Sequence, residues 1–170
     1  MAATEIVVVL DAGPLIHLDQ LGRLNLLNDF KELLVPRIVL DEALKHRPRL
    51  RLLELSNLEI ISEPPPLPAD WQKLPDELAF HAGERAGLGV LKARGGEFLL
   101  SDDAAARAVA LAVGFKTHGT IGLILRSRRR GKISAAEMLQ LLRELPTRTT
   151  LPLRKELLDL ILATATAENI

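Results

Sequence analysis

Residues 6–10 form an unbroken apolar run, rich in valine and without polar alternation. That pattern predicts a strand buried on both faces. Asp11-Ala12-Gly13-Pro14 follows, with Pro14 suited to the first turn of a helix. Leu15, Ile16, Leu18 and Leu21 then recur at helical spacing, and Leu24, Leu26 and Leu27 continue the stripe after Gly22. Residues 33–35 predict a second strand, and Pro36 opens a second helix that carries Asp41 and Glu42. Residues 58–62 read as an extra short strand. Pro64, Pro65, Pro66, Pro68 and Pro75 exclude helix and central strand from residues 63–75, so this stretch is expected to be a surface loop. Helical patterning returns over 76–93, broken near Gly83, Gly87 and Gly89.

Residues 98–101 predict the next buried strand. Asp102 is placed to cap the alanine-rich helix that runs to Val113, with Gly114 as its stop. Residues 115–117 give a last short strand, and Thr120 caps the helix through Leu125. Ser134 with Glu137 three residues on has capping-box spacing. Residues 153–163 close the chain as an amphipathic helix. Strands alternating with helices predict an α/β protein, a three-layer α/β/α sandwich with a central parallel sheet.

Composition narrows this picture. The 170 residues suit one domain, 1–170, and 48% of them are hydrophobic, enough for a core. The 22 basic and 22 acidic side chains cancel, so nucleic-acid binding has to rest on local patches. Cysteine is absent, which excludes disulfides, zinc–thiolate sites and thiol nucleophiles. No apolar stretch approaches the ~20 residues needed to span a bilayer, and residues 1–5 lack the basic start of a signal peptide. The expectation is a soluble, cytoplasmic protein with no membrane partner.

The acids carry the chemistry. In a β–α–β unit, the end of each strand and the start of the next helix share one sheet edge, where open α/β folds place their sites. Asp11 ends the first strand, and Glu42 lies in the second turn of the helix after the second. Glu84 is near the start of the helix leading into residues 98–101, and Asp102 ends that strand. Thr120 begins the helix after the last strand. Taken singly these are ordinary caps, first-turn acids or solvated positions. Together, four carboxylates at one pole repel unless protons or cations neutralise them. Hard oxygen donors without His or Cys suit Mg²⁺ or Mn²⁺ and not zinc. An open site of this kind fits two-metal hydrolysis of phosphodiesters, with ions about 3.5–4 Å apart.

Val7-Val8-Val9-Leu10-Asp11-Ala12-Gly13-Pro14-Leu15-Ile16 resembles the opening strand and first acid of PIN domains, including VapC-type toxins. Val35-Pro36-Arg37-Ile38-Val39-Leu40-Asp41-Glu42 resembles the family's second segment, and Gly83-Glu84-Arg85-Ala86 its third. Phe98-Leu99-Leu100-Ser101-Asp102-Asp103 resembles the fourth, and Gly119-Thr120-Ile121-Gly122 a small-residue segment in which a hydroxyl often supports the metal site. The likeness spans about residues 5–133; residues 134–170 carry C-terminal helices and no part of the motif. It implies a metal-dependent endoribonuclease in which Asp11, Glu42, Glu84 and Asp102 bind Mg²⁺ or Mn²⁺ and act on RNA. It also implies a toxin-like role with an antitoxin partner or a homodimer. Asp103 competes with Asp102 for the fourth position. Many members place Ser or Thr two residues before the fourth acid, and counting from Asp102 that residue is Leu100; Ala12-Gly13 likewise supplies no hydroxyl after the first acid. These departures keep a rival alive, a catalytically inactive RNA- or protein-binding module. An aspartyl-nucleophile phosphohydrolase fits less well, because Gly13 stands where one such class has its second Asp.

Two basic runs are candidates for RNA backbone contact. One holds Arg126, Arg128, Arg129 and Arg130 with Lys132, and the other Lys45, Arg47, Arg49 and Arg51. Both fall toward helix C-termini, away from the acids, where cations also complement the helix dipole. His17, His46, His81 and His118 show no metal-ligand spacing, and His118, nearest the acids, is expected to be structural. Trp71 is expected to anchor the proline-rich loop to the core.

Overall fold

Val8 and Leu10 face one side of the central strand, Val7 and Val9 face the other, and each side meets its own hydrophobic core. A computed structural model describes residues 6–71 and 81–167. Its sheet has β1 (Val7–Leu10), β2 (Glu32–Pro36), β3 (Leu58–Ile61), β4 (Phe98–Leu100) and β5 (Lys116–His118), in the order β3-β2-β1-β4-β5 with every pair parallel. Val8 stands opposite Leu33 and Phe98, and Leu10 opposite Leu100. This register keeps apolar side chains level across the three inner strands. Such strands have no polar face, which is why residues 6–10 read as a continuous run.

The helices are α1 (Ala12–Leu21), α2 (Arg37–His46), α3 (Ala82–Ala93), α4 (Ala104–Ala112), α5 (Thr120–Arg129), α6 (Ala135–Arg148) and α7 (Lys155–Ala167). α1, α2, α5, α6 and Ala165 of α7 fill the core on the Val8 side, while α3 and α4 cover the Val9 side. The three-layer α/β/α sandwich is therefore the fold that forms. No helix among the described residues is long and apolar enough to cross a membrane.

Several boundaries differ from the sequence reading. The leucine stripe does not continue α1 past Gly22. That glycine adopts a left-handed φ of 71° and ends the helix, and Leu24–Asp29 forms a separate 3₁₀ turn whose leucines still reach the core. Pro36 ends β2, and α2 starts at Arg37. β5 lies one residue later than expected, and α7 begins at Lys155, after Leu153. α3 runs unbroken through Gly83, Gly87 and Gly89; the expected helix start over 76–80 lies outside the described residues. Tertiary packing explains those glycines. A Cβ on Gly89 would stand 2.1 Å from the Pro65 carbonyl oxygen, so the proline-rich strap lies directly on the helix backbone. Leu67 and Trp71 pin that strap, with the Trp71 ring edge-on to Phe115 at 5.9 Å.

Two glycines in one helix should thus respond oppositely to alanine. Gly89→Ala must push the strap away and is expected to cost about 1–3 kcal/mol in urea unfolding. At Gly87 the new methyl meets only Leu99 and Val9 at 3.7 Å, so Gly87→Ala should be neutral or stabilise by up to ~1 kcal/mol. Equal losses at both sites would refute this account.

Candidate active site

The chain fills one side of β1 with β2 and β3, then crosses to the other side for β4 and β5. The C-terminal ends of β1 and β4 therefore form the switch point where open parallel sheets leave a crevice. Two backbone bonds carry the ladder one residue beyond the strands: Asp11 N–H donates to Leu100 O and Ser101 N–H to His118 O, both at 2.9 Å. Asp11 and Ser101 are thereby set side by side. The Ser101 hydroxyl donates to Asp11 Oδ2 at 2.7 Å and accepts from the Asp103 amide at 3.1 Å.

A cleft of about 250 Å³ opens here, lined by Asp11, Glu42, Glu84, Asp103 and His81, with Gly13 and Gly83 in its wall. Glu42 is exposed on the second turn of α2. Its Oε2 lies 3.8 Å from where a Gly83 Cβ would be, which puts the start of α3 beside the acid. Glu84, in the first turn of α3, accepts from the His81 amide at 2.5 Å. Asp103 caps α4 by accepting the Ala106 amide on Oδ1 at 2.7 Å, and no described hydrogen bond engages its Oδ2.

Asp102 is the correction. It was expected to end the strand, cap the alanine-rich helix and join the other three acids. Its neighbour Asp103 does the capping and lines the cleft. The Asp102 carboxylate turns the other way, between α1 and α5. Oδ2 accepts from His17 Nδ1 at 2.7 Å and from the Thr120 hydroxyl at 2.6 Å, and Oδ1 accepts from the Thr120 amide at 2.7 Å. Thr120 is the first residue of α5, with Gly119 at the cap position, and its hydroxyl serves Asp102 instead of the cleft. Gly13 and Gly119 leave the room: added Cβ atoms would stand 3.1 Å and 2.7 Å from the two carboxylate oxygens. Counting from Asp103, the residue two before is Ser101, the hydroxyl that was missing when counting from Asp102.

The two kinds of acid differ electrostatically. Burial pushes the Asp11 carboxyl above its ordinary range, against the Ser101 bond, and the charges of Glu42 and Asp103 push the same way. Burial also raises Glu84, with Asp11 and Asp103 adding to it, although the His81 amide pulls it back. Burial opposes ionisation of Asp102 as well, but there the His17 and Thr120 hydrogen bonds prevail and hold the carboxyl below its usual value. His118, as expected, is structural: it stacks on Phe98 at 5.0 Å, and burial beside Arg126 and Arg129 keeps its pKa low.

The basic runs are largely consumed inside the fold. Asp29, with its side chain only 2% exposed, pairs with Arg126, with Arg130 at 3.1 Å and with Lys132 at 3.3 Å. Arg126 also lies over the Phe30 ring at 4.4 Å. Asp19, fully enclosed, is held by Arg47 at 2.6 Å and Arg51 at 3.1 Å. Arg126 and Arg130 are thus engaged as partners of a buried carboxylate, while Arg128 is half-buried and Arg129 exposed. A buried carboxylate requires such partners. Sequence reading missed Ser101, His17 and His81. Only Ser101 carried a signal, its position two before Asp103.

A parallel α/β sandwich with a carboxylate-lined crevice at its switch point is an architecture that several classes of protein share. The chain belongs to the PIN-domain family: a sequence profile described as a PIN domain matches residues 7–167. No curated protein and no solved structure matches it. PIN domains are generally nucleases and usually use divalent metals. Among the described residues no three acids or histidines are closed up into an ion-holding group. The donor chemistry nevertheless fits a hard divalent cation, since the cleft gathers carboxylates whose charges raise the pKa of Asp11 and Glu84, and His81 is the one basic side chain among the described lining residues.

These shifts contribute to the pH dependence of stability with opposite signs in metal-free buffer. Asp11 and Glu84 are raised, so their penalty is present at neutral pH and relieved as pH falls through their folded values toward 3.8 and 4.5. Asp19, Asp29 and Asp102 are lowered, so their contribution is present above pH 3.8 and lost below it. His118 is lowered, so its burial costs stability as pH falls through 6.5 and works against that relief. Asp11→Asn removes one of the raised groups and leaves the others, so on acidification its Tm should gain less, or lose more, than that of the wild type, and both should fall below about pH 4. The adjacent aspartates should also separate: Asp102→Asn is expected to lose about 1–3 kcal/mol by leaving His17 and Thr120 mispaired. Asp103→Asn keeps an equivalent cap and should lose almost nothing.

Proposed function

We infer that this protein is a divalent-metal-dependent endoribonuclease in which Asp11, Glu42, Glu84 and Asp103 are the acids that hold metal. The observation that carries the reading is the contrast between the four carboxylates facing one crevice and Asp102, whose oxygens are taken by His17 and Thr120. Mg²⁺ or Mn²⁺, when bound, supplies positive charge opposite the scissile phosphate and acidity to a water. The chain's own groups set up that chemistry. Ser101 fixes one oxygen of Asp11, and the α4 amide at Ala106 fixes one of Asp103, and both residues line the crevice. Glu42 and Glu84 close it from α2 and α3. None of the lining residues is a Ser, Thr or Cys nucleophile, which supports direct hydrolysis by water over a covalent route. Gly13, crowded by Asp102, leaves no room for the second acid of an aspartyl-nucleophile enzyme.

Cleavage of a mixed RNA pool in Mn²⁺, with Asp11→Asn, Asp103→Asn and Asp102→Asn purified in parallel, tests the assignment. Asp11→Asn and Asp103→Asn should each lose at least ~100-fold in rate while staying folded by circular dichroism, a loss of the size expected when transition-state charge goes unmatched. Mn²⁺ should raise the wild-type Tm, but not that of Asp11→Asn. An Asp103→Asn protein as active as wild type would return the fourth role to Asp102. No cleavage together with no Mn²⁺-induced shift would favour the inactive binding module.

A further inference from the structure

On the far side of Asp102 from the acidic crevice lies a second cleft of about 280 Å³, walled by Arg107, Gly119, Gly122, Leu151, Pro152 and Leu157. The two clefts share one backbone segment, residues 101–103, with Asp103 facing one and Asp102 the other. Arg107, on α4, donates from Nη1 to the carbonyl oxygens of Ser101 at 3.3 Å and Asp102 at 3.2 Å. Its guanidinium is thus fixed against the segment that positions Asp103. Among the described residues no carboxylate pairs with it, so Nε and Nη2 remain to meet an anion. Gly119 makes the placement possible, since a Cβ there would stand 3.1 Å from Nη1. The opposite wall is apolar, and exposed Arg154 and Lys155 lie between the wall residues Pro152 and Leu157, with Glu156 the acid beside them.

A phosphodiester entering a crevice of four carboxylates approaches like charge and needs a cation close by. The basic runs do not provide Arg47, Arg51, Arg126 or Arg130, which are spent on Asp19 and Asp29. Arg107 lies one short backbone segment from the crevice, and a planar guanidinium matches phosphate geometry. We propose that this second cleft is the substrate subsite: Arg107 binds the phosphate next to the scissile one in a single-stranded RNA, and Leu151, Pro152 and Leu157 pack the attached base. The inference rests on the nuclease reading of the acidic crevice and adds the residue that orients the chain across it.

The test is fluorescence anisotropy of a labelled, mixed-sequence single-stranded RNA, titrated over a range of salt. Asp11→Asn serves as the parent so that the RNA stays intact, and Arg107→Gln, Arg107→Lys or Leu157→Glu is added to it. Arg107→Gln should weaken binding about tenfold and reduce the log–log salt slope by about 0.7, the loss of one phosphate contact on a single strand. Arg107→Lys should restore the slope. Leu157→Glu sits at a side chain already 48% exposed, so it tests the cleft without threatening the fold, and it too should weaken binding. An unchanged slope for Arg107→Gln, with weaker binding or without it, overturns the subsite. Wild-type cleavage that depends on Asp11 would leave the nuclease reading standing in that event. Binding that depends on Arg107 in a protein that never cleaves would keep the subsite and overturn the nuclease reading. A parent that binds no RNA overturns the subsite.

Discussion

A carboxylate removed from water must be neutralised or hydrogen-bonded, and the way each aspartate meets that constraint organises this protein. Asp19 and Asp29 are enclosed beneath the helices and held by arginines from two basic runs. Asp102 is held without a full cation complement, by His17 on α1 and by the hydroxyl and amide of Thr120 on α5. These ties join helices distant in sequence to the sheet edge. Asp11, Glu42, Glu84 and Asp103 are left facing one crevice, with no arginine or lysine among its described lining residues. The carboxylates paired inside the fold build the frame, and those lining the crevice are what the frame presents.

The crevice exists because of strand order. With β1 central, β2 and β3 on one side and β4 and β5 on the other, the C-terminal ends of β1 and β4 form the switch point of the sheet. The backbone bonds from Asp11 to Leu100 and from Ser101 to His118 make that edge rigid to its last residue. Ser101 then links the first and fourth acidic segments through one hydroxyl. The four acids that line the crevice come from four different elements, so no single loop carries the cluster.

Electrostatics divides the edge into two environments. Asp11 and Glu84 are pushed toward protonation by burial and by neighbouring acids, while Asp102, two side chains away, is stabilised as an anion. Protons or a cation relieve the first pair, whereas the second environment needs neither. Arg107 stands at the boundary, fixed to the backbone that separates the two clefts.

Much of this was legible in the chain. The unbroken run over residues 6–10 announced a doubly covered strand, and the alternation of strand and helix patterns announced the parallel sandwich. The placing of Asp11, Glu42 and Glu84 at one edge follows from that alternation, because parallel topology brings every strand end and following helix start together. Gly89 and the basic runs were not legible. A glycine inside a helical pattern looks like a break until the strap that lies on it is seen, and an arginine cluster looks like a surface patch until the buried aspartate beneath it is found. The sequence by itself determined which segments become strands and helices and which edge collects the acids. Only the tertiary structure decided that Asp103 faces the crevice while Asp102 turns into the gap kept open by Gly13 and Gly119. Successive residues leaving a strand point to opposite sides, and only the packing of α1 and α5 says which side is the crevice.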